Sequence, residues 1–276
     1  NLSLDVLSKR PDNYHELKMI MQTIDICDTV TLESSKREGI EVSCNSKWVP
    51  CGPGNIAYKA AELLINRYKI SSGVRIIINK KIPVAAGLAG GSSDAAAVLK
   101  GMNILFSLGL SESELMSLGK EIGADVPYCI RGGTMLAEGI GEILTPLKPL
   151  GVIDIVLIKP RIGISTAWVY KNLNLNEITD RPDTEMLINA INHNNIDVLA
   201  KNMKNVLETV SIKRHGVIKT IKDRLLELGA LGSMMSGSGP TVFGIFRDRQ
   251  SAERAYNAVK DGMWECYLAQ TACEES

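Results

Sequence analysis

Residues 83–94 read Pro83-Val84-Ala85-Ala86-Gly87-Leu88-Ala89-Gly90-Gly91-Ser92-Ser93-Asp94, a run of small residues and hydroxyls between two different hydrophobic periodicities. Upstream, Gly73–Asn79 alternates, with Val74, Ile76 and Ile78 on one face, which predicts a strand. Downstream, Ala95, Val98, Leu99 and Met102 recur at helical spacing. Pro83 closes the first pattern, and Ser92 or Ser93 is placed to cap the helix that follows.

A helix starting there leaves several backbone N–H groups without intrahelical partners, and its aligned peptide dipoles add partial positive charge at the same end. Phosphate suits such an end. Gly87, Gly90 and Gly91 carry no Cβ, so the backbone can approach a polyphosphate closely. Two other glycine loops do not fit. A Walker loop needs a lysine after its last glycine, and the dinucleotide fingerprint needs Gly-x-Gly-x-x-Gly. The plain alternative is a glycine-rich turn that packs a helix closely on a sheet.

Composition sets the frame. The chain has 276 residues, enough for one large domain or two ordinary ones, and 45% are hydrophobic, ample for a packed core. Lysine plus arginine balances aspartate plus glutamate at 31 each, so the overall field favours neither nucleic acid nor an anionic membrane as partner. No apolar run reaches membrane-spanning length and no secretory pattern opens the chain, which makes the cytoplasm the expected location. The chain opens at Asn1 already inside an alternating pattern (Leu2, Leu4, Val6), an opening that leads us to expect residues upstream. Cys27, Cys44, Cys51, Cys129, Cys266 and Cys273 form no Cys-x-x-Cys pair, so free thiols are expected, with neither zinc nor a disulfide framework.

Strands are predicted at residues 2–7, 29–33, 40–43 and 74–78, and helices at 55–67, 92–105 and 112–122. Beyond Pro146 and Pro149 the order becomes strand 153–158, several helices, strands 231–235 and 241–246, helix 249–260 and strand 264–269. That order resembles a split β-α-β unit of ferredoxin type with added helices. The two prolines and Gly151 suggest lobes at 1–149 and 150–276. The fold class expected is α+β.

Several polar residues admit two readings. Asp125 stands between Gly123, which stops the preceding helix, and Pro127, and reads most simply as a helix cap. Asp94, early in its helix, reads as a carboxylate offsetting the dipole. Tyr14 and His15 follow the turn residues Pro11-Asp12-Asn13 and read as a solvated loop, although an adjacent ring and imidazole also suit a nucleobase. Ser236-Gly237-Ser238-Gly239-Pro240-Thr241 joins two strand patterns as a hairpin turn, and Asn55 reads as an N-cap.

Residues 83–96 nevertheless resemble the phosphate-binding motif of the GHMP kinases, and residues 236–241 resemble the third glycine-rich motif of that superfamily. Residues 1–17 and Gly123-Ala124-Asp125-Val126-Pro127 are similar to the branch that phosphorylates a cytidine diphosphate conjugate of methylerythritol, an isoprenoid precursor. The resemblance implies a two-lobed fold, with a ribosomal-protein-like N-terminal lobe, a ferredoxin-like C-terminal lobe and the active site between them. It also implies ATP as phosphoryl donor, with Mg2+ inferred from the reaction class; a monomer or homodimer is expected. By the same resemblance residues 83–93 and Asn55 hold the nucleotide, and Asp125 is the catalytic base. Tyr14 and His15 hold the cytosine, Asn1 and Asp5 lie near the methylerythritol and donor phosphates, and Thr166 and Gly237 lie near the acceptor. The family places a lysine two positions before the asparagine matching Asn1. A polypeptide truly starting at Asn1 is expected to show little activity, and one extended upstream to be unaffected. Two alternatives stay open at this stage: a GHMP kinase for another alcohol, and a noncatalytic protein that keeps the fold.

Overall fold

The computed structural model describes residues 1–272, so the expected free thiol of Cys273 lies outside the described residues. In chain order the elements are β1 (Ser3–Lys9), β2 (His15–Gln22), β3 (Thr29–Ser35), β4 (Ile40–Cys44), α1 (Ile56–Tyr68), β5 (Gly73–Asn79), α2 (Gly90–Leu105), α3 (Glu112–Ile122), α4 (Val126–Arg131), β6 (Thr134–Gly139), β7 (Ile143–Pro146) and β8 (Asp154–Lys159). There follow α5 (Thr166–Lys171), a 3-10 turn (Leu175–Glu177), α6 (Thr184–Asn192), α7 (Ile196–Asn202), α8 (Glu208–Arg214), α9 (Val217–Glu227), β9 (Gly232–Met235), β10 (Val242–Phe246), α10 (Arg249–Val259) and β11 (Glu265–Gln270).

The chain packs as two compact units. The first holds Asn1–Asp25, Ala85–Leu88 and the described residues from Gly133 onward; the second holds Ile26–Val84 and Ala89–Gly132. In the second unit β5 is the middle strand of a three-stranded sheet, antiparallel to β3 and parallel to β4. Its buried face, Val74, Ile76 and Ile78, meets Ala57, Ala60, Ala61 and Leu64 of α1 and Ala95, Val98, Leu99 and Met102 of α2 in one core. Each large apolar side chain so buried contributes about 1.5–3 kcal/mol. Small residues set the spacing: a Cβ at Gly101 would lie 2.4 Å from Leu32 Cδ1, so the Leu32 side chain packs into the space that this glycine leaves on α2.

The first unit contains two antiparallel four-stranded sheets. One runs β1-β2-β6-β7 and the other β11-β8-β10-β9. The second has the strand order of a split β-α-β unit, as expected, and its central β8 is buried at every position. The predicted strands and helix of this half agree with the observed ones to within one or two residues at each end.

Two expectations need correction. Helix α2 begins at Gly90 and not at a serine cap; its N-cap is Ala89, in a left-handed conformation with no side-chain hydrogen bond, and Ser92 and Ser93 fall inside the first turn. His15 is not in a loop but starts β2, pairing with Lys9 across a hairpin, while Tyr14 remains in the turn. Among the described residues no helix is long and apolar enough to cross a membrane, and no group of three or more His, Cys, Asp or Glu is placed to hold a metal.

Candidate active site

The run that follows β5 obtains its shape from three left-handed residues, Ala85 (φ 52°), Gly87 (φ 73°) and Ala89 (φ 51°). Two of the three are alanines, which pay a Cβ penalty of about 1–2 kcal/mol in that region. Gly90 and Gly91 instead have helical backbone, and Gly90 is required for packing: a Cβ there would lie 2.9 Å from Ile82 Cγ2 and 3.2 Å from Lys80 Nζ. Being the first three residues of α2, Gly90, Gly91 and Ser92 have N–H groups with no intrahelical partner, and no side chain caps them. A helix of 16 residues therefore presents bare donors and its positive dipole end at the place the sequence singled out.

Beneath that turn lies a charge cluster that sequence reading missed. Lys80, 6% exposed, donates to Asp94 Oδ2 at 2.9 Å and to Asp28, whose other oxygen accepts from the N–H groups of Lys81 and Ile82 at 2.6 and 2.9 Å. Asp94 is thus the fifth residue of the helix and paired to a lysine, not a first-turn carboxylate offsetting the dipole. Burial pushes its carboxyl up to about 6, opposed by the hydrogen bond from Lys80. Burial also pulls the Lys80 ammonium down, but its bonds to Asp28 and Asp94 outweigh that and leave it raised.

Asp125 occupies the N-cap position of α4, with φ −83° and ψ −13°, yet its carboxylate caps no backbone N–H. The capping explanation offered by the sequence therefore fails. Loss of water pushes the Asp125 carboxyl above its usual range. It shares its surroundings with Asp94 and Cys129: burial first, then the two carboxylates, push the Cys129 thiol up to about 12. Asn55 is the N-cap of α1, accepting from Ala57 N at 2.8 Å and donating to Pro50 O at 2.8 Å.

The remaining candidates belong to the first unit. His15 stacks on Tyr170 of α5, with ring centroids 5.0 Å apart and 28° between planes, whereas Tyr14 is 58% exposed in the preceding turn. Burial, then the charge of Lys9, holds the His15 imidazole below its ordinary pKa, so it is neutral at pH 7. Thr166 Oγ1 lies 2.8 Å from Ser238 Oγ, which ties the start of α5 to the turn between β9 and β10. That turn is a hairpin connection as expected, with Gly237 (φ 53°) and Gly239 (φ 88°) left-handed. It meets the segment Ala85–Leu88: Ser236 Oγ donates to Gly87 O at 2.9 Å and Thr241 N to Ala86 O at 3.3 Å. A Cβ on Gly87 would lie 2.5 Å from Ser236 O, and one on Gly237 would lie 3.4 Å from Gly87 O and 3.6 Å from Asn1 Oδ1. The structure thus brings Asn1, Gly87 and Gly237 together. Asn1 also donates to Met19 Sδ at 3.2 Å. Asp5 accepts from Arg181 and from the Val6 N–H. Tyr170 and Ser238 join the candidates only here, because stacking and hydroxyl pairing across 155 and 72 positions leave no local pattern.

Known proteins bear on this arrangement. Profiles of the GHMP kinases N terminal domain and GHMP kinases C terminal region match residues 55–133 and 187–263. The chain is 63% identical over 271 residues, 98% of its length and 95% of the relative's, to 4-diphosphocytidyl-2-C-methyl-D-erythritol kinase of Acetivibrio thermocellus. The chain belongs to the GHMP kinase family. Another relative of the same name, from Clostridium botulinum strain Eklund 17B, is 52% identical over 98% of the chain and 96% of its own length. A crystal structure of 4-(cytidine 5'-diphospho)-2C-methyl-D-erythritol kinase superposes on this GHMP kinase with a TM-score of 0.85 at 30% identity, covering 99% of this chain and 97% of the other. Homoserine kinase from Cytophaga hutchinsonii, at 20% identity, 92% and 88% coverage and a TM-score of 0.78, shares the fold.

Proposed function

We propose that this GHMP kinase transfers the γ-phosphoryl group of ATP to the tertiary 2-hydroxyl of 4-diphosphocytidyl-2-C-methyl-D-erythritol, giving the 2-phosphate and ADP in isoprenoid precursor synthesis. The observation that carries the reading is the 63% identity, over nearly the whole chain, to a relative that bears that name.

The residues fit the parts such a reaction needs. Phosphoryl transfer asks mainly for positioning and charge stabilisation. The uncapped N–H groups of Gly90, Gly91 and Ser92, with the backbone of residues 83–89, receive the donor phosphates, and Asn55 lies on the adenine side. Asp125, spending no oxygen on its own helix, accepts the proton of the acceptor hydroxyl in its carboxylate form as that oxygen bonds to the γ-phosphorus and the bridge to the β-phosphate breaks. Neutral His15 can both donate to and accept from a cytosine edge, and Tyr170, stacked on it, with Tyr14 supplies aromatic surface for the base. Asn1, Asp5, Thr166 and Gly237 complete the acceptor side in this reading.

Mg2+ fits the donor set. With no group of three or more His, Cys, Asp or Glu placed to hold a metal among the described residues, the ion would be held mostly by phosphate oxygens and waters, with the hydroxyls of Ser92 and Ser93 and the unpartnered Asp94 Oδ1 as the protein oxygens within the motif. When bound, it neutralises charge on the transferring phosphates. We further assign the functional lobes to 1–149 and 150–276, the location to the cytoplasm and the assembly to a monomer or homodimer, with neither nucleic acid nor membrane as partner.

Isothermal titration separates this reading from a GHMP kinase for another alcohol. CDP is expected to bind and mevalonate not to; binding of mevalonate alone would overturn the assignment.

A further inference from the structure

Asn205 lies just before α8, is 4% exposed, and has no part in the reaction described above. Its amide nitrogen donates to Met235 O at 2.9 Å and to Gly237 O at 2.7 Å, while its oxygen accepts from Leu207 N at 3.0 Å. A side-chain amide has two N–H donors, and both are spent on backbone carbonyls on either side of Ser236. Three positions later Glu208 accepts from Met235 N at 2.7 Å and is itself paired with Lys222.

The reason for this investment is the place of β9. It is an edge strand of its sheet, paired on one side only with β10, and it runs directly into the turn 236–241. The turn's own bonds, from Ser236 N to Thr241 O and from Gly239 N to Ser236 O, leave the outer edge of Met235 and the carbonyl of Gly237 without a sheet partner. Asn205 and Glu208 supply the missing side: they bond the N–H and C=O of Met235 and the C=O of Gly237. The turn so fixed is the surface against which Gly87 lies, through Ser236 Oγ at 2.9 Å and a backbone approach too close for any Cβ.

We propose that Asn205 is a positioning residue of the nucleotide site: by clamping Met235 and Gly237 it sets the turn 236–241 against Gly87 and so holds the phosphate loop in its left-handed path. The proposal rests on the reading above for the phosphates at residues 83–92, but not on the identity of the phosphoryl acceptor.

The test is Asn205→Asp in the full chain. The carboxylate keeps the shape and still accepts from Leu207 N, but it has no hydrogen for either carbonyl. Affinity for MgADP by calorimetry is expected to fall about tenfold or more, as befits two lost buried bonds, with CDP affinity unchanged to about twofold and circular dichroism unaltered. KM for ATP should rise in step while KM for the cytidine substrate does not, and lowering the pH should recover part of the ADP affinity as the carboxyl regains one donor. A folded Asn205→Asp that binds MgADP within about twofold of the unaltered protein would overturn the proposal. Should that variant not fold, Ser236→Ala removes the same link at its Gly87 end; weaker MgADP binding supports the clamp and unchanged binding overturns it. An unaltered protein that binds MgADP but does not phosphorylate the cytidine substrate would sink the substrate assignment and leave the clamp standing on the ADP comparison.

Discussion

Asp125 is a carboxylate at a helix N-cap that declines to cap, and this single departure from local habit separates it from the other acidic residues at helix starts. Asp183 and Asp248 both accept from their own helices at Met186 N and Ser251 N. Loss of water raises the Asp125 pKa, and the sign matters for activity: the base form is depleted as pH falls through the raised value, so the acid limb of kcat/KM should sit above the ordinary aspartate value of about 3.9. Asp125→Asn should bind MgADP normally and lose about 10²–10⁴ in turnover, with that limb gone. Turnover near that of the unaltered protein, measured by ADP release, would remove Asp125 from the mechanism.

Helix α2 joins chemistry to packing: one end offers bare N–H groups, the adjoining turn rests on Lys80, and the middle is buried in the core of the second unit. Two carboxylates share one ammonium there, so the partners are not equivalent. Lys80→Met leaves Asp28 and Asp94 buried without a cation and is expected to cost about 3–5 kcal/mol in urea unfolding. Asp94→Asn leaves the Lys80–Asp28 pair whole and should cost less. Because the folded pKa of Asp94 is raised, the group stabilises the fold below its unfolded value of about 4. That contribution is lost as pH rises towards about 6, and the Asn variant should lack this slope. Equal losses for the two variants would contradict the arrangement. Much of this element was legible in sequence: the periodicity of Ala95, Val98, Leu99 and Met102 gave its buried face, and the glycines gave its exposed end. Its exact start was not, because a left-handed alanine at the cap has no compositional signature, whereas a serine does. Nor was Lys80–Asp28, which joins residues 52 apart in sequence. Asn205 is invisible for the same reason, an isolated amide whose partners are backbone atoms some 30 positions away. The motif end of a site is written locally; the supports beneath it are written in tertiary geometry.

At the scale of the whole molecule, balanced charge has a practical result. With 31 cationic and 31 anionic side chains, the protein should be least soluble near pH 7, and precipitation by polyethylene glycol across pH 5–9 should show its minimum there. A minimum displaced well away from neutrality would mean that pairs such as Lys80–Asp94 shift the titration of the fold more than the exposed charges do. The path of the chain has a different result. It passes between the two compact units at four junctions, and one excursion is only Ala85–Leu88, four residues of the first unit set inside the sequence of the second. A chimera that takes codons 26–132 from a related gene as a cassette would import that tetrapeptide along with it. The hydroxyl that bonds Gly87 belongs to Ser236, encoded 149 codons downstream, so the recipient's hairpin and the donor's loop would have to be inherited as a matched set.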